Sequence, residues 1–78
     1  MRVQVQLEFE TLDVPTRFYN RIVPIRDGIV TALTQQNAED LQTQKGKDAL
    51  KARIKTLIND LLRREEVKRV YFTQFVIQ

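Results

Sequence analysis

The chain has 78 residues and a formal net charge of +3, from 13 lysines and arginines against 10 acidic residues. A domain of this size buries only about 60% of its unfolded surface, so we expect modest stability or help from partner subunits. The sequence contains no cysteine, histidine or serine. Without a thiol, an imidazole or a serine hydroxyl, the commonest nucleophiles and bases are missing, which predicts a non-enzymatic protein without cofactor or metal.

The chain opens on a clear strand pattern. Residues 2–10, RVQVQLEFE, alternate apolar and polar side chains, which predicts a half-buried β-strand with one solvated face. Asp13 and Pro15 follow, and both residue types favour the first turn of a helix.

Apolar residues then recur at helical spacing, but a proline interrupts them. The apolar positions of this first helical segment are Phe18, Ile22, Ile25, Ile29, Val30 and Leu33. Pro24 cannot donate a backbone hydrogen bond, so we expect a kink near Val23, or a short helix followed by a longer one from Pro24 to about Thr34.

A second, longer helix is predicted from its caps and its apolar stripe. Asn37 is expected to cap a short turn through residue 41, and Thr43 a helix that runs to about Arg64. The expected buried stripe of this helix is Ala49, Leu50, Ile54, Leu57, Ile58, Leu61 and Leu62.

The closing segment, 67–78, carries apolar residues at both odd and even positions. Strict alternation places Val70, Phe72 and Val76 on one side. The opposite side then carries Val67, Tyr71, Phe75 and Ile77. One set should pack on the helices, and the other should be covered by something outside the chain, so we expect residues 70–77 to contribute to a subunit contact.

The order strand, helix, helix, strand predicts the α+β class: a small antiparallel sheet with two helices packed on one face. Residues 1–78 should form a single domain, since no linker or repeat divides them.

Candidate interaction residues fall into a basic set and an aromatic set. The basic set is Lys47, Lys51 and Lys55, which lie at i, i+4 spacing on the last helix. They form either a basic stripe that contacts an acidic partner or a solvated helix face. Tyr71, Phe72, Phe75 and Ile77 are candidates for self-association. Aromatic residues beside Lys68 and Arg69 also leave open a small basic α+β nucleic-acid-binding domain, although the glycines of RNA-recognition motifs are missing.

Paired carboxylates give weaker indications. Glu8 and Glu10 share a strand face about 7 Å apart, a spacing that glycosidases use, but an exposed polar face explains them equally well. The pairs 39–40 and 65–66 lack an alternating oxygen-ligand loop, so we expect no metal.

Two blocks of sequence resemble the C-terminal domain of the flagellar basal-body protein FliL. The first is NAEDLQTQKGKDALKARI (37–54), where Gly46, Lys47 and Leu50 follow AEDL, and the second is VYFTQFVIQ (70–78). The stretch PIRDGIV (24–30) is similar to the proline-led helix of that family. Gln44 and Asn37 depart from the proline and threonine that the family commonly carries there.

The resemblance implies a stomatin-like (SPFH) fold and a place at the periplasmic face of the bacterial inner membrane. It also implies a homo-oligomer, forming a ring, that supports the flagellar stator proteins MotA and MotB in motility. From the missing recognition motif we separately expect no nucleic-acid partner. Family members usually begin with a membrane-spanning helix and an earlier strand, which residues 1–78 lack. We therefore expect a periplasmic core domain that meets the membrane only through that absent anchor.

Overall fold

A computed structural model describes residues 2–76. Two strands and four helices follow one another within these residues. They are β1 (Arg2–Phe9), α1 (Thr16–Asn20), α2 (Ile22–Thr34), α3 (Ala38–Leu41), α4 (Gln44–Leu62) and β2 (Val67–Val76). The strands pair antiparallel, and α4 packs against β2 with α2 beside α4, which confirms the predicted α+β class.

The first helical segment is divided, as the proline predicts. The break falls at Arg21, three residues before Pro24 itself. Pro24 is the third residue of α2, where a backbone N–H has no partner within the helix, and the ladder of i to i−4 bonds begins with the N–H of Ile25 donating to the carbonyl of Arg21 (3.0 Å). Asp13 does not cap α1, because Pro15 occupies the N-cap position and no side chain bonds there.

Both predicted helix caps that follow are confirmed. The Asn37 side chain accepts from the Asp40 N–H (2.9 Å), and the Thr43 hydroxyl accepts from the Gly46 N–H (2.9 Å). The same hydroxyl donates to the Asp40 carbonyl (3.0 Å), so Thr43 joins the end of α3 to the start of α4. A Cβ at Gly46 would lie 1.8 Å from that carbonyl oxygen, so only glycine fits at this junction.

The helix α4 ends in a left-handed residue that is not glycine. Arg63 has φ 57° and ψ 29°. Its N–H donates to the Asp60 carbonyl, and the Arg64 N–H donates to the Asn59 carbonyl, both over 3.2 Å. This pair of bonds is the Schellman arrangement that closes many helices, and it ends α4 at Leu62 instead of near Arg64.

The core lies between α4, α2 and the sheet. Its buried side chains are Ile25, Ala32, Leu41, Leu50, Ile54, Ile58, Leu62, Val67 and Val70. Three predictions for the helix faces need correction, since Ala49 and Val30 are exposed and the half-buried Leu57 contacts α2 at Gly28. Leu57 faces Gly28 because α2 and α4 approach closely there, and a Cβ at Gly28 would be 2.7 Å from the Leu57 side chain.

The predicted faces of the closing strand are wrong, because two β-bulges shift its pleat. Gln4 pairs with Gln74 but Val5 pairs with Phe72, and Glu8 pairs with Arg69 but Phe9 pairs with Val67. One residue of β2 is passed over at each irregularity, which moves the following side chains to the other face. As a result Val67, Val70, Phe72 and Phe75 all pack on the helix side. Tyr71 and Val76 remain outward, 41% and 40% exposed.

Candidate functional site

The clearest site candidate is a row of paired side chains beside the outer edge of β2. The Lys47 ammonium lies 5.1 Å from the centre of the Phe75 ring, and the Lys51 ammonium lies 5.6 Å from the centre of the Phe72 ring. The two rings are 5.3 Å apart. We call these four residues the β2-edge surface. Cations over ring faces at these distances are held by the quadrupole of the ring.

The chain forms this surface because α4 and β2 run antiparallel. The N-terminal half of α4 therefore lies beneath the C-terminal half of β2. Lys47 and Lys51 are half-buried, and each holds its ammonium group over the face of one ring. Lysines near a strand edge also hinder pairing with uncharged strands of other molecules. Protection of the β2 edge is therefore a purely structural explanation of Lys47 and Lys51.

The structure places the remaining predicted residues elsewhere. Lys55 is exposed one turn further along α4, where it borders a shallow groove of about 630 Å³ with Arg63 and Arg64. Tyr71 lies on the open face of the sheet. Ile77 lies outside the described residues. The structure thus unites Lys47 and Lys51 with Phe72 and Phe75, and it separates them from Tyr71 and Lys55.

The open face of the sheet carries a small polar network. The Tyr71 hydroxyl donates to Glu8 (3.0 Å), and the Arg69 guanidinium is 3.8 Å from the same carboxylate. These neighbours raise the pKa of Arg69, first through Tyr71 and then through Glu8, so Arg69 stays charged. Three aromatic residues suggested stacking on nucleic-acid bases. Phe72 and Phe75 lie on the helix side, so of the three the open face presents Tyr71 alone.

An apolar groove runs along the other edge of the sheet. It has a volume of about 360 Å³ and lies between β1 and α2. Its walls include Val3, Val5 and Leu7 from the strand and Ile22, Ile29 and Leu33 from the helix. Alternation in β1 predicted the strand wall, but the groove itself depends on the distance at which α2 packs.

Asn59 is a structural residue that the sequence analysis did not single out. Its Oδ1 accepts from the backbone N–H of Val67 (2.9 Å) and of Glu66 (3.1 Å), and its Nδ2 donates to the Val67 carbonyl (3.4 Å). This side chain therefore fastens the start of β2 to α4. A polar residue on the half-buried side of a helix, just before an exit turn, was the available signal.

No group of acidic side chains within residues 2–76 is arranged to hold a metal ion. Over the same residues, no helix combines the length and the apolar composition that crossing a bilayer requires. The described residues form a small α+β domain, with helices on one face of a two-stranded sheet and with lysines and aromatic rings in contact between α4 and β2.

Comparison with known proteins gives the family. All 78 residues match the model of the flagellar basal body-associated protein FliL, so the chain belongs to the FliL family. The chain is similar to a flagellar protein FliL of Aquifex aeolicus (strain VF5), with 31% identity over 77 residues that cover 99% of this chain and 48% of the relative. It is also similar to a flagellar protein FliL of Bacillus subtilis (strain 168), with 28% identity over 78 residues that cover all of this chain and 56% of the relative.

The chain thus spans about half the length of the curated relatives it matches. Family membership relates the chain to proteins described as flagellar and as associated with the basal body.

Proposed function

We propose that this domain is a non-catalytic part of the flagellar motor that self-associates at the periplasmic face of the inner membrane. In this role it supports the stator complex of MotA and MotB through protein contacts. The observation that carries the proposal is the β2-edge surface in a chain of the FliL family. Cations and aromatic rings are held there along β2, whose one strand partner within residues 2–76 is β1.

The same proposal includes a stomatin-like (SPFH) fold for the domain and a ring as the form of its assembly. The candidate contact residues remain Lys47, Lys51 and Lys55 with Tyr71, Phe72, Phe75 and Ile77. Of these, Phe72 and Phe75 are half-buried and do not form a bare apolar face, because both pack on the helix side of β2.

The test is made in the bacterium that encodes the chain. Deleting the gene should lower swimming speed under load, and it should reduce the number of fluorescent MotB molecules at each motor. A gene with Lys47→Glu and Lys51→Glu should fail to restore either value. The matched control, Lys45→Glu with Arg53→Glu, changes two exposed residues of α4 outside the candidate contact residues and should restore both. Unchanged stator numbers in the deletion strain would contradict the proposal.

A second measurement addresses nucleic acid. The purified chain should pass through immobilised DNA and RNA at about 0.15 M salt, because a non-specific binder would be retained at low salt and released as counterions compete. Retention that falls steeply with salt would favour the nucleic-acid alternative.

A further inference from the structure

The hydrogen bonds of the sheet determine which backbone groups of β2 face away from β1. The Glu10 N–H donates to the Glu66 carbonyl (2.8 Å). Every residue from 2 to 9 has a partner in β2, so the other even-numbered residues of β1 direct their backbone groups towards β2 in the same way. Tyr71 is the partner of Gln6 and therefore points back to β1. The residues of β2 that face the outer edge are Val67, Val70, Phe72 and Phe75.

The first of these four residues already has a partner outside the sheet. The Asn59 side chain accepts from the Val67 N–H (2.9 Å) and donates to the Val67 carbonyl (3.4 Å). A residue of a neighbouring antiparallel strand exchanges the same two bonds, so the Asn59 amide takes the place of such a strand at Val67. Within the described residues, the edge groups of Val70, Phe72 and Phe75 have no partner of this kind. The open part of the edge therefore begins after Val67.

We propose that this open edge binds an extended segment of another protein, with acidic residues at alternate positions, as an added antiparallel strand. In recognition of this kind, main-chain bonds give affinity and side chains at alternate positions give specificity. The proposal rests on the protein contacts in the proposed function and names the chemistry of the partner segment. It assigns the β2-edge surface to that partner, so the self-association in the proposed function uses other parts of the chain.

The lysines of the β2-edge surface set the charge of the partner segment. In an antiparallel pair, residues directly opposite each other lie on the same face of the sheet, which at this edge is the helix side. The side chain opposite Phe72 then lies beside Lys51, and the side chain opposite Phe75 lies beside Lys47. Carboxylates at both places form ion pairs, whereas uncharged side chains would cover two ammonium groups without a counterion.

The register of the sheet gives the spacing of those carboxylates. The partners of Phe72 and Phe75 in β1 are Val5 and Val3, which are two residues apart because one residue of β2 is passed over between the rings. A strand added on the other side of β2 passes the same irregularity, so it also meets the two rings with residues two apart. Alternate residues of a strand share a face, and both carboxylates therefore face the lysines.

The charges of this chain favour another protein over a second copy as the source of the segment. The strand β2 carries Lys68 and Arg69 and no acidic residue, so two β2 edges repel each other. Alternate acidic residues occur in the sequence only at Glu8 and Glu10. Glu8 already accepts from the Tyr71 hydroxyl (3.0 Å) and lies 3.8 Å from Arg69 of its own chain. The acidic segment therefore belongs to a different protein.

Fluorescence anisotropy with a labelled synthetic peptide tests the charge of the partner. The probe alternates threonine and glutamate over about ten residues, and the purified chain should bind it at about 0.15 M salt. Lys47→Gln with Lys51→Gln should weaken binding about five- to tenfold, because two ion pairs are lost. The matched control, Arg26→Gln with Lys45→Gln, removes the same charge from exposed residues outside the β2-edge surface and should change binding by less than about twofold. Circular dichroism establishes that each variant is folded.

Methylation of the peptide backbone separates strand pairing from attraction between charges. In the added antiparallel strand, the glutamate N–H groups donate to β2 and the threonine N–H groups point away from it. Methyl groups on the glutamate nitrogens should therefore abolish binding, whereas methyl groups on the threonine nitrogens should preserve the affinity to within about threefold. The two peptides carry the same charge, and the protein is unchanged. Equal affinities for them would overturn the proposal, because charge alone would then hold the peptide.

Amide resonances of the isotope-labelled chain locate the bound peptide. Shifts at Val70, Phe72 and Phe75 support the proposal, and shifts confined to β1 would overturn it. A peptide that fails to bind, while Lys47→Glu with Lys51→Glu still lowers stator numbers, would overturn this inference alone. A peptide that binds the β2 edge, together with stator numbers that do not depend on the chain, would contradict the proposed function and support the strand pairing.

Discussion

Replacement of Asn59 by alanine should destabilise the domain strongly, although this residue lies far from the β2-edge surface. The substitution deletes two accepted hydrogen bonds and one donated bond that fasten the start of β2 to α4. Val67, whose N–H loses its partner, is only 1% exposed, so water cannot replace the bond. Each bond contributes about 1 kcal/mol net, and a buried donor left unpaired costs about 1 to 3 kcal/mol.

The better helix propensity of alanine offsets up to about 0.7 kcal/mol of this loss. The two short bonds therefore imply a net destabilisation of about 2 to 3 kcal/mol. With a urea dependence near 1 kcal/mol per M, as for small domains, the unfolding midpoint should fall by about 2 to 3 M.

Urea unfolding followed by far-ultraviolet circular dichroism measures this change. Asp60→Ala is the matched control, because Asp60 is an exposed neighbour in the same turn and should shift stability by less than about 0.5 kcal/mol. Equal midpoints for the two variants would refute the role assigned to the Asn59 side chain.

Two further stability changes follow from the packing and from the helix end. Ile54→Ala should lower the free energy of unfolding by about 2 to 5 kcal/mol, since Ile54 is fully buried between α4 and the sheet. The control Lys55→Ala changes an exposed residue and should cost less than about 0.5 kcal/mol, so similar urea midpoints for the two variants would show that the helix faces are misassigned. Arg63→Gly should raise stability by about 0.5 to 1 kcal/mol, because glycine adopts the left-handed conformation without the steric penalty that Arg63 carries, and a lower thermal midpoint for Arg63→Gly than for the parent would contradict this reasoning.

The features that the sequence by itself determined are local. Caps form between residues three apart, so Asn37 and Thr43 could be recognised without knowledge of the fold. The same is true of the helix break before Pro24, because the ring of proline restricts its own turn of helix. Alternation in β1 was also sufficient, since an uninterrupted pleat repeats every two residues.

The tertiary structure decided the features that depend on a partner distant in the chain. Whether Phe75 faces the helices depends on bulges that exist only when β2 pairs with β1, so strict alternation gave the wrong face for it. The contacts of Lys47 with Phe75 and of Lys51 with Phe72 exist because α4 and β2 pack antiparallel, and no spacing within either segment encodes them. Asn59 acts across the exit turn for the same reason: the carbonyl and the N–H groups it binds reach its side chain only once β2 has folded back onto α4.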